Sequence, residues 1–305
     1  MCAQVLNVET NCTPLTADEI EAKVANCARL PSLRSIDSAL RELLSADHRY
    51  TQQISEVIRR DPSLTARLLR LVNSVYYGLT TPVKSIEEAV FYLGVRQIRQ
   101  LAMVTPVIED FQKLAGNSPF VWRKFWQHCI GTALLTREVV SLVSAPEDEL
   151  DYVAGLVHDV GIIVMSSAFP VHFRAIYCQQ PIYTGDIRQL EREVLGIDHA
   201  ELGALYLKQH RLPDAMIETA RYHHEPEKAQ QFSEVIAAVQ IADSMVNCAG
   251  IDVIPPTNPD CADEWKNVSG WQILFPERTK EEQSIVYAQL QRSRERLPQI
   301  LEGLV

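Results

Sequence analysis

The sequence predicts an all-α protein, and three observations predict it. Glycine is sparse, at 12 in 305 residues, while Ala, Leu, Glu, Gln and Arg, which lose little on entering a helix, are frequent. Apolar residues recur three and four apart along most of the chain, the spacing of one helix face. No stretch keeps the strict alternation of a half-buried strand.

The elements follow in order. Residues 1–16, polar and carrying Pro14, are expected to form a flexible arm. Thr16-Ala17-Asp18-Glu19 then opens a helix to about residue 28, with its acidic residues early, where the helix dipole favours them. Leu30-Pro31-Ser32 breaks the chain, and Leu33, Ile36, Leu40, Leu43 and Leu44 mark a second helix to about residue 45. Residues 51–60 form the next. Asp61-Pro62 starts another, with Leu64, Leu68, Leu71, Val72, Val75 and Tyr76 on one face and Gly78 closing it. Ser85 and Glu88 have the spacing of a capping box, and the helix they open ends near Gly94. A further helix covers 95–111.

Turn formers cluster at Gly116-Asn117-Ser118-Pro119, so a boundary falls near residue 117. Beyond it helices are expected at 119–143, 147–167, 170–179, 186–195, 198–210, 213–224 and 233–249. Residues 250–278 carry Pro255, Pro256, Pro259 and Pro276 with Trp265 and Trp271, and read as a long ordered excursion pinned by aromatic side chains. A final amphipathic helix, 279–303, uses Ile285, Leu290, Leu297 and Leu301. The expected units are therefore the arm (1–16), an N-terminal helical sub-bundle (17–117), a second helical bundle (118–250), and a loop with a C-terminal helix packed on it (251–305).

Composition narrows the function classes. A content of 47% hydrophobic and 22% charged residues is that of a globular protein able to bury a sizeable core. A net charge of -10 opposes a nucleic-acid surface, because affinity for a polyanion comes from clustered Lys and Arg. The Arg groups at 59, 60, 67 and 70 and at 292, 294 and 296 read as solvated helix faces. Seven cysteines without a CxxC suit a reducing cytoplasm rather than a disulfide framework or a thiolate zinc site. No run of about 18 apolar residues and no signal-peptide pattern is present, so no membrane association is expected.

One segment stands apart. Residues 154–163 read AGLVHDVGII, which sets His158 and Asp159 inside an apolar run. Alone, the pair could be a buried hydrogen bond of purely structural use. It has company, however. His128 lies in WQHCIG, His199 in DHAELG, His223 and His224 in YHHEP, and Asp243 in QIADSM. Imidazole and carboxylate are the donors that Fe, Mn, Ni and Zn sites use, and a carboxylate can bridge two cations. Five His and two Asp on separate helices can furnish one or two divalent ions. His48, His172 and His210 fall outside the pattern. Asn73 and Ser74 are expected to satisfy backbone groups near a helix end.

The order His, His-Asp, His, His-His, Asp resembles the HD superfamily of metal-dependent phosphohydrolases. The upstream segments LPSLRSIDSALRELL, LTARLLRLVNSVYYG and SIEEAVFYLGVRQIRQL narrow the resemblance to the HDOD (HD-related output domain) family of bacterial signalling proteins, over about residues 25–250. Its elements here are NSVYYG, AVFYLG and GLVHDVG.

The resemblance implies an HD-like bundle in the second unit and His128, His158, Asp159 and Asp243 around one ion. Asp159 would bridge to a second ion held by His199, His223 and His224, and in an enzyme would help hold the nucleophilic water. It implies a cytoplasmic regulatory protein that acts mainly by contact with other signalling proteins and retains a metal site. The alternative is a metal-dependent phosphohydrolase acting on a small phosphoester or nucleotide. Cyclic-di-GMP hydrolysis is not expected, since Ile162 stands where the diesterase branch has lysine and HHEPEKAQQF lacks its Gly-Tyr-Pro element. Lys124, one turn before His128, stands where some relatives place a glutamate for a third metal.

Overall fold

The computed structural model describes residues 12–27, 81–89, 120–143, 150–178, 185–251 and 261–302, with Leu69, Asn73, Phe91 and Tyr92. The helices expected at 33–45, 51–60 and 95–111, all of that at 61–78 but Leu69 and Asn73, the boundary near 117, His48, and prolines 255, 256 and 259 lie outside the described residues. No strand occurs among the described residues, and the protein is all-α.

The described helices are α1 (Ala17–Ala25), α2 (Trp122–Ser141), α3 (Leu150–Val157), α4 (Val160–Ala168), α5 (Pro170–Tyr177), α6 (Ile187–Val194), α7 (His199–Gln209), α8 (Asp214–Tyr222), α9 (Ser233–Asn247), α10 (Gly270–Leu274) and α11 (Lys280–Glu302). Two 3-10 turns, Pro226–Lys228 and Cys261–Asn267, join them.

Helix α2 is the hub. It packs against α9, α3 and α11 and buries Phe125, Trp126, Cys129, Ile130, Ala133, Leu135 and Val139. Each large side chain so buried contributes about 1.5–3 kcal/mol relative to exposure. Behind this layer α7 packs on α8 and α4. The α4–α7 crossing is close because two glycines meet there: a Cβ on Gly161 would lie 1.8 Å from the His199 carbonyl oxygen, and one on Gly203 would lie 3.0 Å from the Gly161 nitrogen.

The single helix expected over 147–167 is two helices, broken at His158-Asp159. Asp159 leaves helical geometry at φ -97°, ψ 19°. The cause is local: His158 Nδ1 lies 2.8 Å from the Gly155 carbonyl oxygen, the acceptor that an unbroken helix would offer to the Asp159 amide. Residues 150–168 are long and apolar enough to cross a membrane, but 83% of that stretch is buried inside the protein.

Three other expectations change in detail. The excursion after residue 250 contains regular structure, the turn Cys261–Asn267 and α10. Trp265 is fully buried there, and its carbonyl accepts the Trp271 indole N–H at 2.7 Å. On α11, Leu290, Leu297 and Leu301 face the core as expected, whereas Ile285 is exposed and Val286 takes the inward position. The last residues of the expected arm are docked, with the Leu15 N–H donating to the Leu195 carbonyl at 2.9 Å. Asn73 satisfies backbone groups at a distance, pairing both its amide nitrogen (2.8 Å) and its amide oxygen (2.6 Å) with the Val83 backbone.

Candidate metal centre

The fold brings together all seven side chains singled out in the sequence. His128 comes from the middle of α2, His158 and Asp159 from the α3–α4 break, and His199 from the first position of α7. His223 caps the C-terminus of α8, His224 follows it, and Asp243 projects from α9. All but His224, which is half-buried, are buried.

The four most buried imidazoles are each held from behind. His158 Nδ1 is 2.8 Å from the Gly155 carbonyl oxygen, and His223 Nδ1 is 2.8 Å from that of Ala220. His128 Nδ1 lies 3.2 Å from the Ile251 carbonyl oxygen. A carbonyl oxygen only accepts, so in these three rings Nδ1 carries the proton. His199 Nδ1 donates to Glu191 Oε2 at 2.7 Å, and that same oxygen accepts the His199 backbone N–H at 2.9 Å. All four Nε2 atoms therefore face the interior of the cluster.

Asp159 divides that interior in two. Its Oδ2 lies 3.4 Å from His158 Nε2 and 3.6 Å from His128 Nε2. Its Oδ1 lies 3.4 Å from His223 Nε2 and 3.5 Å from His199 Nε2. Asp243 Oδ1 adds to the first side, 3.1 Å from His128 Nε2 and 3.9 Å from His158 Nε2, and Asn247 donates to it at 3.0 Å. On the second side His224 Nε2 is 2.9 Å from His199 Nε2. Two groups of donor atoms result, each within 4.8 Å: His128, His158 and Asp159, and His199, His223 and His224.

The electrostatics follow from burial and these neighbours. Burial opposes ionisation of Asp159, but the surrounding His158, His223 and His199 hold its carboxyl well below the usual range. Asp243 is lowered in the same way, chiefly by His128. Burial pushes His128 down, yet Asp243 and Asp159 raise it overall. For His199 burial is again outweighed, by Glu191 first, and its value is raised to about 9. Burial and the neighbouring imidazoles lower His223, and lower His224 further.

These residues fit divalent cations. The His223 Nε2 is buried without a hydrogen-bond partner. Its ring is held neutral and protonated on Nδ1, so Nε2 is a lone pair facing another acceptor, the Asp159 carboxylate. Such an orphaned buried group costs about 1–3 kcal/mol, and a cation between the two acceptors removes that cost. His128, His158, Asp159 and Asp243 would hold one ion, and Asp159, His199, His223 and His224 a second. Imidazole and carboxylate donors suit Fe, Mn, Ni and Zn alike.

Sequence reasoning missed the supports of the cluster. Glu191 is fully buried, and its other oxygen accepts the Tyr177 hydroxyl in a short hydrogen bond. In the sequence it sits in IRQLEREV, which reads as a solvated face. Two negative expectations concern exposed and buried neighbours: Ile162 is buried in the core, and Lys124 is exposed.

Comparison with known proteins identifies the family and the fold. A curated relative is an uncharacterised protein of Treponema pallidum, 24% identical over 251 residues. The match takes in 79% of this chain but only 46% of that protein, so the chain spans about half the length of this relative. An HDOD domain protein of unknown function from Geobacter sulfurreducens superposes with a TM-score of 0.76 at 21% identity, covering 95% of this chain and 99% of that one. A structure named as a candidate phosphohydrolase, from Shewanella amazonensis, gives 0.66 at 22% identity over 94% of this chain and 98% of its own. One named as a candidate signal transduction protein, from Marinobacter aquaeolei, gives 0.69 at 19% identity over 94% and 65%. The HDOD domain profile matches residues 30–226, most of this chain, which therefore belongs to the HDOD domain family.

Proposed function

We propose that this protein is a cytoplasmic HDOD signalling module that binds two divalent metal ions in its helical bundle and acts mainly through contacts with other signalling proteins. The observation that carries the metal reading is the position of Asp159. Its two oxygens face two separate groups of imidazoles, each ring fixed from behind by a backbone carbonyl or by Glu191. Second-sphere hydrogen bonds of this kind orient metal ligands and lower the reorganisation needed on binding. The name of the Marinobacter structure supports the signalling part.

The test is elemental analysis of protein purified without chelator. The wild type is expected to carry about two equivalents of Fe, Mn, Ni or Zn, and His158→Ala and Asp159→Ala to lose most of it. A metal-free wild type, with both variants folding normally, would overturn the reading.

A second reading, hydrolysis of a small phosphoester or nucleotide, is favoured by the same bridging position of Asp159 and by the half-buried rim at His224. Divalent ions held there supply Lewis-acid polarisation of a phosphoryl oxygen and acidify water. The chain's own part is to fix the donors, with Asp159 spanning both half-sites, Glu191 holding His199, and Asn247 holding Asp243. Turnover of a generic phosphodiester that disappears in Asp159→Asn would put this reading first. Cyclic-di-GMP is not the expected substrate, because the buried Ile162 leaves α4 without a cation for phosphate.

A further inference from the structure

The rim of the second half-site carries a cation that the sequence motifs did not point to. Arg188 and Glu191 are three residues apart on α6, and residues so spaced share a helix face. Glu191 uses that face to hold His199, so Arg188 lies one turn away on the same side as the cluster. Its Nη1 reaches to 3.6 Å from Glu225 Oε2, and Glu225 directly follows His224. His224 is the one half-buried member of the seven, so this is the edge at which the cluster meets solvent.

We infer that Arg188 receives the anionic group of a ligand, a phosphate or phosphoester, at the open side of the half-site formed by His199, His223 and His224. This rests on the metal reading above. A guanidinium presents a planar fork of donors that matches two oxygens of a phosphate. It would supply the charge that Ile162 does not. The fork is held only by long contacts: its Nε and Nη2 each lie 3.5 Å from an oxygen of Asp186, and its Nη1 lies 3.6 Å from Glu225 Oε2. Both carboxylates are half-exposed or nearly so, and contacts of that length and exposure are weak. Glu225 therefore acts as a place-holder that a phosphate displaces.

The experiment uses the full chain as purified with its metal, inorganic phosphate as the probe, titration calorimetry for affinity, and elemental analysis of the same samples. Arg188→Gln is expected to keep its metal and to bind phosphate about tenfold more weakly, the usual loss with a charge-assisted hydrogen bond. Arg188→Lys should fall between the two, since it keeps the charge and loses the fork. Glu225→Gln should bind phosphate more tightly than wild type, because it frees the Nη1 arm of Arg188 and removes a negative charge from the rim; a purely structural role for the arginine predicts no gain. Equal phosphate affinity in wild type and Arg188→Gln at equal metal content would overturn the inference, as would absence of phosphate binding to the metal-loaded wild type. A wild type without metal would overturn the metal reading instead, and Arg188-dependent phosphate binding by that protein would leave the present inference standing.

Discussion

His199 shows how one side chain is set by four others. Its Nδ1 is committed to Glu191, Glu191 in turn takes the Tyr177 hydroxyl, and its Nε2 meets His224 and Asp159. Replacing Glu191 by Gln should weaken binding of the second metal equivalent by about 10–100-fold, the usual cost of losing such a partner, with the first equivalent little changed. Competition titration with a chromophoric chelator checks this. Protons and metal compete at the same nitrogens. With His199 raised to about 9 and His128 also raised, metal uptake must release protons, so apparent affinity should increase as pH rises from 6.5 towards 9. Calorimetry in buffers of different ionisation enthalpy measures that release.

The same shifts give stability in the presence of chelator a defined sign. His199 has a folded value above its ordinary 6.5, so its contribution is complete below pH 6.5 and is lost as pH rises through about 9. Asp159 and Asp243 are lowered from 3.8, so theirs is present above that value and is lost as pH falls further into acid. Urea unfolding of chelated protein should show a decline in stability from pH 6.5 to 9 that is reduced in Glu191→Gln.

At the scale of elements, the decisive features are a helix that stops and two helices that touch. The break between α3 and α4 turns Asp159 so that its two oxygens face different partners. The glycine contact between α4 and α7 brings His199 beside it. Gly161→Ala would place a methyl 1.8 Å from the His199 carbonyl oxygen, a backbone atom unable to move alone. It is expected to cost about 3 kcal/mol, the upper end for overpacking, and to lose the second metal equivalent before the first. Thermal melts with metal analysis test both parts. The segment GLVHDVG thus displayed in sequence both the ligands and the glycine that makes room for a third. The break itself was not legible, because an apolar run with helical spacing continues across it, and only the His158 contact with Gly155 interrupts the ladder.

At the scale of the molecule, the segment after residue 251 packs on the bundle. Helix α11 lays Leu290, Leu297, Ile300 and Leu301 against the core, and Leu297 and Leu301 close over Gly131 on the hub helix. Gln240 links it to the site: its amide nitrogen donates to the His224 carbonyl at 2.8 Å, and its oxygen accepts the Gly270 N–H at 2.8 Å. A chain ending at Ile251 is expected to lose cooperative unfolding and to aggregate, because removal of α11 exposes the face of α2 it covers. Size-exclusion chromatography and denaturant unfolding of the shortened chain provide the check. Trp265→Ala in the whole chain should be milder, destabilising by about 3–5 kcal/mol.

Legible in the sequence were the helical class, the positions of most of the described helices to within a few residues, the seven side chains that the fold brings together, and the family resemblance. Those follow from local spacing and residue chemistry, which are present in the chain before it folds. The tertiary structure decided which oxygen of Asp159 faces which imidazoles, that Glu191 lies buried behind His199, and that Arg188 stands at the rim. Those depend on contacts between residues far apart in the chain, and a polar residue on an amphipathic helix looks the same in sequence whether it meets water or a histidine.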